Sequence, residues 1–361
     1  MNVLFVYYLP SGGVETLNRQ RSAALKVQGI SCHFLYYQNK RALINDHGAL
    51  TFITNSDKEI KRIIKKGKYK AIIITSDYRG LPRFRKMGYE GIVVFEIQGL
   101  GTAETARIEL QKAMPLAASY ADGILVSKTP HILDILKDYD KTPPIFVFNN
   151  CINPDNFRYN PGSQKQLAGS PIIAWIGRIE ENKNWREFLQ IGQKLITELN
   201  PKIRLFMFED PTLSAPEERQ LFNEMADSLQ LRASLTTLAN VPHNEMADYL
   251  SLIGDSGGLL CSTSNTESFG YAIVEAMCCL CPVVSTKSDG VVNSIIHNET
   301  GKYYNIGNVE EAFNQCKELM VDKDLRKHIQ HTALKHINTH FSTSVYSQQF
   351  YRMIKNLSRN S

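Results

Sequence analysis

Short apolar runs alternate with stretches of helical periodicity through the first half of the chain. The runs cover residues 3–8, 31–37, 70–76, 91–98, 123–127 and 145–150. A helical pattern from Thr16 to about Gln28 follows the first run. Because strands that alternate with helices form parallel sheets, this half predicts a doubly wound α/β domain.

The pattern breaks at residues 158–170, RYNPGSQKQLAGS, which are rich in Gly, Pro, Ser and polar side chains and are typical of a linker. It then restarts with apolar runs at 171–178, 202–208, 234–241, 257–262 and 282–286. Helices are predicted at 185–199, from Pro216, around Glu275 and as one long stretch at 309–338. We therefore predict domains at 1–157 and 166–340, with a final amphipathic helix in 341–361 that packs back on the first domain.

Length and composition support this division. The chain has 361 residues, and single cores stop growing at roughly 250–300 residues. No apolar run approaches the ~18 residues that cross a bilayer, and the first residues lack a basic leader, so a cytoplasmic protein is expected. Seven scattered cysteines favour reduced thiols, and the CCLC cluster at 278–281 favours a packed helix end over a metal site.

Basic residues are concentrated in the first half of the chain. Residues 1–150 hold 21 Lys and Arg against 13 Asp and Glu, whereas the whole chain has a net charge of +5. The segments 57–70 and 79–86 contribute most of the excess, and 57–70 also carries a thin apolar stripe of Ile60, Ile63 and Ile64. Two interpretations stay open: peripheral contact with an anionic membrane, or a solvated helix that maintains solubility. No nucleic-acid partner is expected.

Two adjacent glycines follow the first predicted strand, in PSGGVET. Gly12 and Gly13 allow the backbone to approach a ligand and to turn its N–H groups toward a phosphate, although an ordinary strand-to-helix turn would look the same. The segment lacks the G-x-G-x-x-G spacing, and the second run ends in FLYYQNK with no acidic residue for a ribose. These two features argue against a nicotinamide-dependent enzyme.

The second half begins with a strand that leads into two cations. Arg178 lies at the end of PIIAWIGR, and Lys183 lies at the start of the following helix. Two cations at the carboxyl end of a parallel strand can neutralise a diphosphate, while a solvated pair is the simpler alternative.

The segment TESFGYAIVEAM places two glutamates eight residues apart around a Phe-Gly pair. Helical periodicity from Tyr271 puts Glu275 about one turn inside a helix and Glu267 in the loop before it. Such a helix start can hold a polar, partly anionic ligand.

Taken in order, these segments resemble the retaining glycosyltransferases of family 4. The similar stretches are the GG turn, IGRIEENKN, NTESFGYAIVEAMCCLCPVVSTKSDG, ADGILVSKTP, FVFNNCINPDNF, ANVPHNEMADYLS and NETGKYYN. The resemblance covers most of the chain and implies the GT-B fold, in which two Rossmann-like doubly wound parallel-sheet domains face each other across a cleft. It implies transfer of a hexose or N-acetylhexosamine from a nucleotide sugar with retained configuration, without a metal or other cofactor.

The resemblance also implies roles for individual residues. Glu267, Arg178 and Lys183 would be catalytic: the first grips the hexose, and the two cations neutralise the diphosphate leaving group. Glu275 would bind the ribose hydroxyls. The implied donor-binding residues are Gly12, Gly13, Gln98, Arg178, Lys183, Val241, Ser268, Phe269, Gly270 and Glu275.

One position departs from the family. Where the family often has a histidine that faces the sugar, this chain offers Gln98, which forms hydrogen bonds but carries no proton. Glu96 could substitute, although strand alternation places Glu96 and Gln98 on one face, where buried pairing is an equal alternative.

Other acidic and histidine groups are interpreted as surface residues. The two D-x-D triplets, at Asp138 and Asp140 and at Asp322 and Asp324, fall in polar helix-end loops. Four histidines in the late helical region are spaced irregularly and lack Cys or Glu companions, so no zinc site is expected. They are His328, His331, His336 and His340.

Two other functions remain as alternatives on the same fold. One is a catalytically inactive module that binds nucleotide sugars, and the other is a sugar-nucleotide epimerase or a phosphorylase. A UDP-sugar is favoured as the donor by analogy with the family, while GDP-mannose stays open. The acceptor, whether glycan, lipid-linked or small molecule, is not indicated.

Overall fold

The computed structural model describes residues 1–10, 12–38, 48–153, 156–162, 169–288 and 290–359. The chain divides into two units, one formed by Met1–Asn153 with His340–Ser361 and the other by Pro154–Thr339. The sequence predicted a first domain that ends at residue 157, a second domain at 166–340 and a final helix in 341–361. Part of the predicted linker, residues 163–168, lies outside the described residues, as does Ser11 in the PSGGVET turn.

The first unit is built on a parallel sheet with the strand order β3-β2-β1-β4-β5-β6-β7. Its strands are β1 Asn2–Tyr7, β2 Ser31–Tyr36, β3 Thr51–Ile53, β4 Ala71–Thr75, β5 Ile92–Ile97, β6 Gly123–Val126 and β7 Ile145–Val147. Its helices are α1 Gly12–Lys26, α2 Asp57–Gly67, α3 Gly80–Lys86, α4 Ala103–Tyr120, α5 Pro130–Leu136 and α12 Thr343–Leu357. The central strands β4 and β5 are buried along their whole length, as continuous apolar runs in parallel sheets require.

The second unit has a parallel sheet with the strand order β10-β9-β8-β11-β12-β13. Its strands are β8 Ile172–Ile176, β9 Arg204–Glu209, β10 Leu235–Ala239, β11 Leu259–Ser262, β12 Val283–Thr286 and β13 Lys302–Tyr304. Its helices are α6 Trp185–Glu198, α7 Pro216–Ser228, α8 Met246–Asp255, α9 Tyr271–Cys278, α10 Val309–Val321 and α11 Lys323–His340. The predicted α/β architecture of two doubly wound parallel sheets is confirmed.

Several elements differ from the sequence-based prediction. The long helical stretch at 309–338 is two helices, because the extended backbone of Asp322 ends α10 and its carboxylate accepts the N–H groups of Asp324 and Leu325 (3.1 and 2.9 Å) at the start of α11. The three-residue edge strands β3 and β13 had no counterpart among the predicted apolar runs. Helix α1 begins at Gly12, four residues before the predicted start.

The last helix, α12, packs on the sheet of the first unit. It lies against the face of the sheet that carries Phe5 and Phe34, and the rings of Phe350 and Phe5 lie 5.8 Å apart. Its buried residues are Tyr346, Ser347, Phe350, Met353, Ile354 and Leu357. The end of the chain therefore completes the core of the unit with which the chain begins. None of the described helices is both long and apolar enough to cross a membrane.

We expect Phe350→Ala to destabilise the first unit by about 3–5 kcal/mol, because it leaves a cavity where a fully buried ring packs between helix and sheet. Tyr351→Ala is the matched control, since the neighbouring Tyr351 ring is 41% exposed and its removal should cost about 0.5 kcal/mol or less. Urea unfolding of both variants measures the difference. Equal destabilisation by the two substitutions would contradict the packing of α12.

Candidate functional site

Two loops of the second unit meet at the carboxyl ends of β8 and β11. These strands are direct neighbours, with Ile173 opposite Leu259 and Ala174 opposite Leu260. The winding of the sheet reverses between them, and ligands in open α/β sheets bind at such reversals. The loop after β8 contains a 3-10 turn at Glu181–Lys183.

The two loops are joined by hydrogen bonds. Asn182 provides four of them. Its side-chain oxygen accepts from the amide and the hydroxyl of Thr266 (3.2 and 2.8 Å), and its side-chain amide donates to the Thr266 carbonyl (3.3 Å). Its backbone carbonyl accepts from the amide of Asn265 (2.8 Å). The hydroxyl of Thr263 lies 3.0 Å from the Lys183 carbonyl and accepts from the indole N–H of Trp175 at 3.1 Å. These contacts fix the two loops relative to each other.

Lys183 and Glu267 form an ion pair across this junction. The Lys183 ammonium contacts the Glu267 carboxylate, which also accepts the hydroxyl of Ser264 at 2.8 Å. The two side chains remain 21% and 17% exposed, and partly exposed pairs of this kind contribute only about 0–1 kcal/mol to stability. The structure thus brings together two predicted site residues in a pair that a ligand can reach.

Two glycines allow the loop that carries Glu267 to pack closely against its neighbours. Gly270, at φ 72°, precedes the first turn of α9, and a Cβ there would lie 2.8 Å from Val291. A Cβ on Gly290 would lie 2.0 Å from the Glu267 carbonyl oxygen. Between these contacts Phe269 is buried and Ser268 is exposed. The loop therefore packs too closely for any side chain at positions 270 and 290.

Glu275 lies about one turn inside α9, as predicted, and is buried. Its carboxylate is 3.0 Å from Nε2 of His243, whose ring packs edge-on against Phe157 at 4.8 Å. His243 follows the predicted residue Val241 in the loop after β10. Sequence reasoning quoted this segment but missed His243, because the contact joins positions that are 32 residues apart.

Arg178 is placed differently from Lys183. Its guanidinium pairs with Glu180 at 2.9 Å, and its side chain is 52% exposed. The structure therefore places this cation on the surface of the β8 loop, where it can reorient toward a ligand.

The predicted donor-binding residues of the first unit lie at two strand ends. Gly12, at φ 74°, and Gly13 open helix α1. Apart from the adjacent backbone, no atom of the described residues lies within 4 Å of the position that a Cβ would take on either glycine. Gln98 follows β5 and is buried, and its amide exchanges two hydrogen bonds with the amide of Asn150 (2.9 and 3.0 Å).

Glu96 is a buried structural anion. Its carboxylate accepts hydrogen bonds from Arg21 at 2.8 and 3.0 Å and from the Thr75 hydroxyl at 2.6 Å, and both charged side chains are almost fully buried. Of the two alternatives for Glu96, the structure supports buried pairing. The idea that Glu96 replaces the family histidine is wrong, because its oxygens already accept hydrogen bonds from Arg21, Thr75 and Gln98 inside the fold.

Groups with metal-binding chemistry are used elsewhere in the fold. Asp138 pairs with Arg107 at the surface (2.9 Å), and His328 pairs with Glu299 (2.8 Å). Burial raises the pKa of Cys278 and Cys281 to about 12, so both thiols stay protonated at neutral pH. Within the described ranges, no three His, Cys, Asp or Glu side chains cluster as a metal site requires.

Part of the chain is similar to a known protein family. Residues 160–336 match the family Glycosyl transferases group 1. Similar proteins include the capsular polysaccharide biosynthesis glycosyltransferase CapM of Staphylococcus aureus, 22% identical over 55% of this chain and 50% of the relative. Another is the N-acetyl-alpha-D-glucosaminyl L-malate synthase of Bacillus anthracis, 24% identical over 50% of this chain and 44% of the relative. The chain spans about half the length of the curated relatives it matches.

Solved structures extend the similarity to the whole chain. Anabaena HepE in complex with UDP and glucose superposes with a TM-score of 0.83 at 16% identity, covering 99% of this chain and 100% of HepE. Sucrose-phosphate synthase from Thermosynechococcus elongatus gives a TM-score of 0.82 at 16% identity, with 100% of both chains covered. Residues 160–336 thus match the glycosyl transferases group 1 family, and the chain shares its fold, the GT-B fold, with these solved structures.

Proposed function

We propose that the chain is a retaining glycosyltransferase of family 4 that transfers a hexose or N-acetylhexosamine from a nucleotide sugar, preferably a UDP-sugar. The observation that carries the proposal is the accessible Lys183–Glu267 pair, held on a hydrogen-bonded junction inside a glycosyl transferases group 1 domain. The complexes of HepE with UDP and with UDP-glucose support the choice of base. N-acetylglucosamine in the name of the Bacillus anthracis relative supports an N-acetylhexosamine as one donor sugar.

In this mechanism the residues of the second unit stabilise the leaving group. As the bond between C1 of the sugar and the phosphate oxygen breaks, its electron pair moves to the diphosphate. Lys183 and Arg178 would neutralise that charge, and the positive end of the α9 helix dipole would add to their effect. Two side-chain cations make a metal ion unnecessary for this step.

The remaining polar groups orient the donor. Glu267 would accept hydrogen bonds from the hexose hydroxyls, and Glu275, oriented by His243, would accept them from the ribose hydroxyls. The acceptor oxygen bonds to C1 on the face that the diphosphate leaves, and a phosphate oxygen takes the acceptor proton. This route retains configuration and requires no protein nucleophile.

Incubation with a panel of UDP- and GDP-sugars tests the proposal. A glycosyltransferase without acceptor should release nucleotide slowly through hydrolysis, and NMR should show that the sugar keeps its anomeric configuration. An inactive module would bind donor and release none, whereas an epimerase would convert one nucleotide sugar into another. Either of these results would refute transfer.

The two glutamates should respond differently to truncation. We expect Glu275→Ala to weaken the binding of free UDP, because the ribose contact is present in ground and transition states alike, and we expect Glu267→Ala to lower turnover more than UDP affinity. Titration calorimetry with UDP and the rate of donor hydrolysis provide the two measurements. Unchanged UDP affinity in Glu275→Ala would rule out its ribose role.

Lys183→Ala or Arg178→Ala should reduce turnover by about a hundredfold, because a leaving-group contact lowers the activation barrier by about 3 kcal/mol. Neither substitution should unfold the protein, since surface ion pairs contribute little to stability. Lys183→Ala and Glu267→Ala should be non-additive, since they remove the two halves of one ion pair, whereas Arg178→Ala should combine additively with Glu267→Ala. EDTA should leave the wild-type rate unchanged. A strict requirement for a divalent metal would contradict this mechanism.

We further propose that the first unit contacts an anionic membrane through α2 and the residues that follow it. Six exposed cations form this basic surface, and none has an ion pair among the described residues. They are Lys61, Arg62, Lys65, Lys66, Lys68 and Lys70. Each basic residue near an anionic leaflet is worth about 1 kcal/mol, so four together suffice for reversible binding.

Some residues of the two basic segments are occupied by contacts within the first unit. Ile60 and Ile63 pack in the core of the first unit, so the apolar stripe holds α2 on the fold and is not free to enter a bilayer. Arg83 is paired with Asp57, and Arg85 with Asp122 at 2.7 Å. Arg83 and Arg85 are therefore neutralised by carboxylates of the same unit and add little to the basic surface.

Co-sedimentation with vesicles that contain phosphatidylserine measures this contact. We expect binding at low salt and its loss near 1 M salt, where the Debye length falls to about 3 Å. Replacing Lys61, Arg62, Lys65 and Lys66 by Ser should abolish binding. The control replaces Arg107, Lys112, Lys137 and Lys141, which are exposed cations on other elements of the same unit, three of them paired with carboxylates. Loss of binding in both variants would indicate a net-charge effect and overturn the basic surface.

A further inference from the structure

A pocket lies in the first unit, at the carboxyl ends of β1, β2 and β4. It measures about 310 Å³, within the range of small-molecule sites. The winding of this sheet reverses between β1 and β4, so the pocket occupies the position where such sheets bind ligands. Its lining includes Tyr8, Tyr37, Asn55, Asp77, Arg79 and Arg83.

A buried carboxylate forms the centre of this switch-point pocket. Asp77 accepts the hydroxyl of Tyr8 at 3.2 Å on one oxygen and the hydroxyl of Tyr37 at 2.9 Å on the other. Burial, and then the charge of Asp77, raise the pKa of both tyrosines, so their hydroxyls stay protonated and donate. Each phenol oxygen can still accept a hydrogen bond from a ligand hydroxyl.

The backbone around Asp77 is specialised for this position. Ser76 has φ 56°, which is uncommon outside glycine, and its amide and hydroxyl donate to the carbonyls of Glu96 (2.7 Å) and Gln98 (2.8 Å). A Cβ on Gly80 would lie 2.5 Å from the Asp77 carboxylate. Both features hold the carboxylate in one orientation.

The two arginines of the pocket differ in their partners. Arg83 donates to Asp57 and Asn55 at 2.8 Å each and covers the ring of Tyr37 at 5.2 Å. Arg79 is exposed and approaches the ring of Tyr78 at 5.8 Å, but it forms no ion pair with any described residue. Arg79 therefore supplies an unmatched planar cation, which suits a phosphate or a carboxylate.

We propose that the switch-point pocket binds a sugar that carries an acidic group, either phosphate or carboxylate. The sugar ring would lie on the exposed face of Tyr8, its hydroxyls would bond to Tyr37 and Asp77, and its acidic group would pair with Arg79. In combination with the proposed transferase function, on which this last step rests, the acidic sugar is part of the acceptor.

Binding to the full chain can be measured by calorimetry with glucose 6-phosphate, glucuronate, glucose and inorganic phosphate as probes. We expect at least one acidic sugar to bind at least tenfold more tightly than glucose or phosphate, and the preferred probe identifies the acidic group. Arg79→Gln should remove this preference and leave glucose unchanged. Tyr37→Phe should weaken the acidic sugar and glucose alike.

Arg352→Gln is the matched control, because Arg352 is an exposed arginine on α12 of the same unit and does not line the pocket. UDP affinity is measured on the same samples and should be unchanged in Arg79→Gln. If the chain binds UDP but binds no acidic sugar, or binds glucose and the acidic sugars equally well, the pocket proposal is overturned. If the wild-type chain binds no UDP, the proposed function is refuted instead.

Discussion

The reversal of winding in each parallel sheet is the constraint on which both candidate sites depend. The chain winds outward from β1 to β3 and then returns to the other side with β4, and it repeats this order from β8 to β10 and then β11. The loops on either side of the reversal run in opposite directions and leave space between them. Because the central strands are buried on both faces, polar groups reach a ligand mainly from these loops.

Two ion pairs show how burial separates structural charges from accessible ones. Arg21 and Glu96 are 0% and 1% exposed, and loss of either partner would leave an isolated buried charge at a cost of about 3–5 kcal/mol. Lys183 and Glu267 are 21% and 17% exposed, and they contribute little to stability. Water and ligands can exchange with the second pair, so its interaction energy is available for binding and catalysis.

Sequence patterns predicted the central strands and most helices because continuous apolar runs and helical periodicity reflect burial directly. The edge strands β3 and β13 have only three residues each and give no comparable signal. The break at Asp322 depends on a single capping carboxylate inside a stretch that reads as continuous helix. Local propensity therefore determined the major elements, whereas short pairings and caps needed tertiary context.

The candidate site was predictable residue by residue but not as a set of contacts. Motif spacing identified Lys183, Glu267 and Glu275, yet the pairing of Lys183 with Glu267 and of His243 with Glu275 joins positions far apart in sequence. Alternation placed Glu96 and Gln98 on one face, but only the position of Arg21 decides that Glu96 is an internal anion. Long-range partners determine which polar residues remain available to a ligand.

The switch-point pocket and the basic surface of the first unit share one structural element. Arg83 lines the pocket and donates to Asn55 at its rim and to Asp57 in the first turn of α2, whose later turns carry the unpaired cations. By occupying Asp57, Arg83 removes the acidic group that would otherwise oppose an anion near the pocket. A negatively charged group in the pocket therefore meets Arg79, while the Asp77 carboxylate already accepts the hydroxyls of Tyr8 and Tyr37. Arg83 therefore links the lining of the pocket to the first turn of α2, and both features belong to the same unit of the chain.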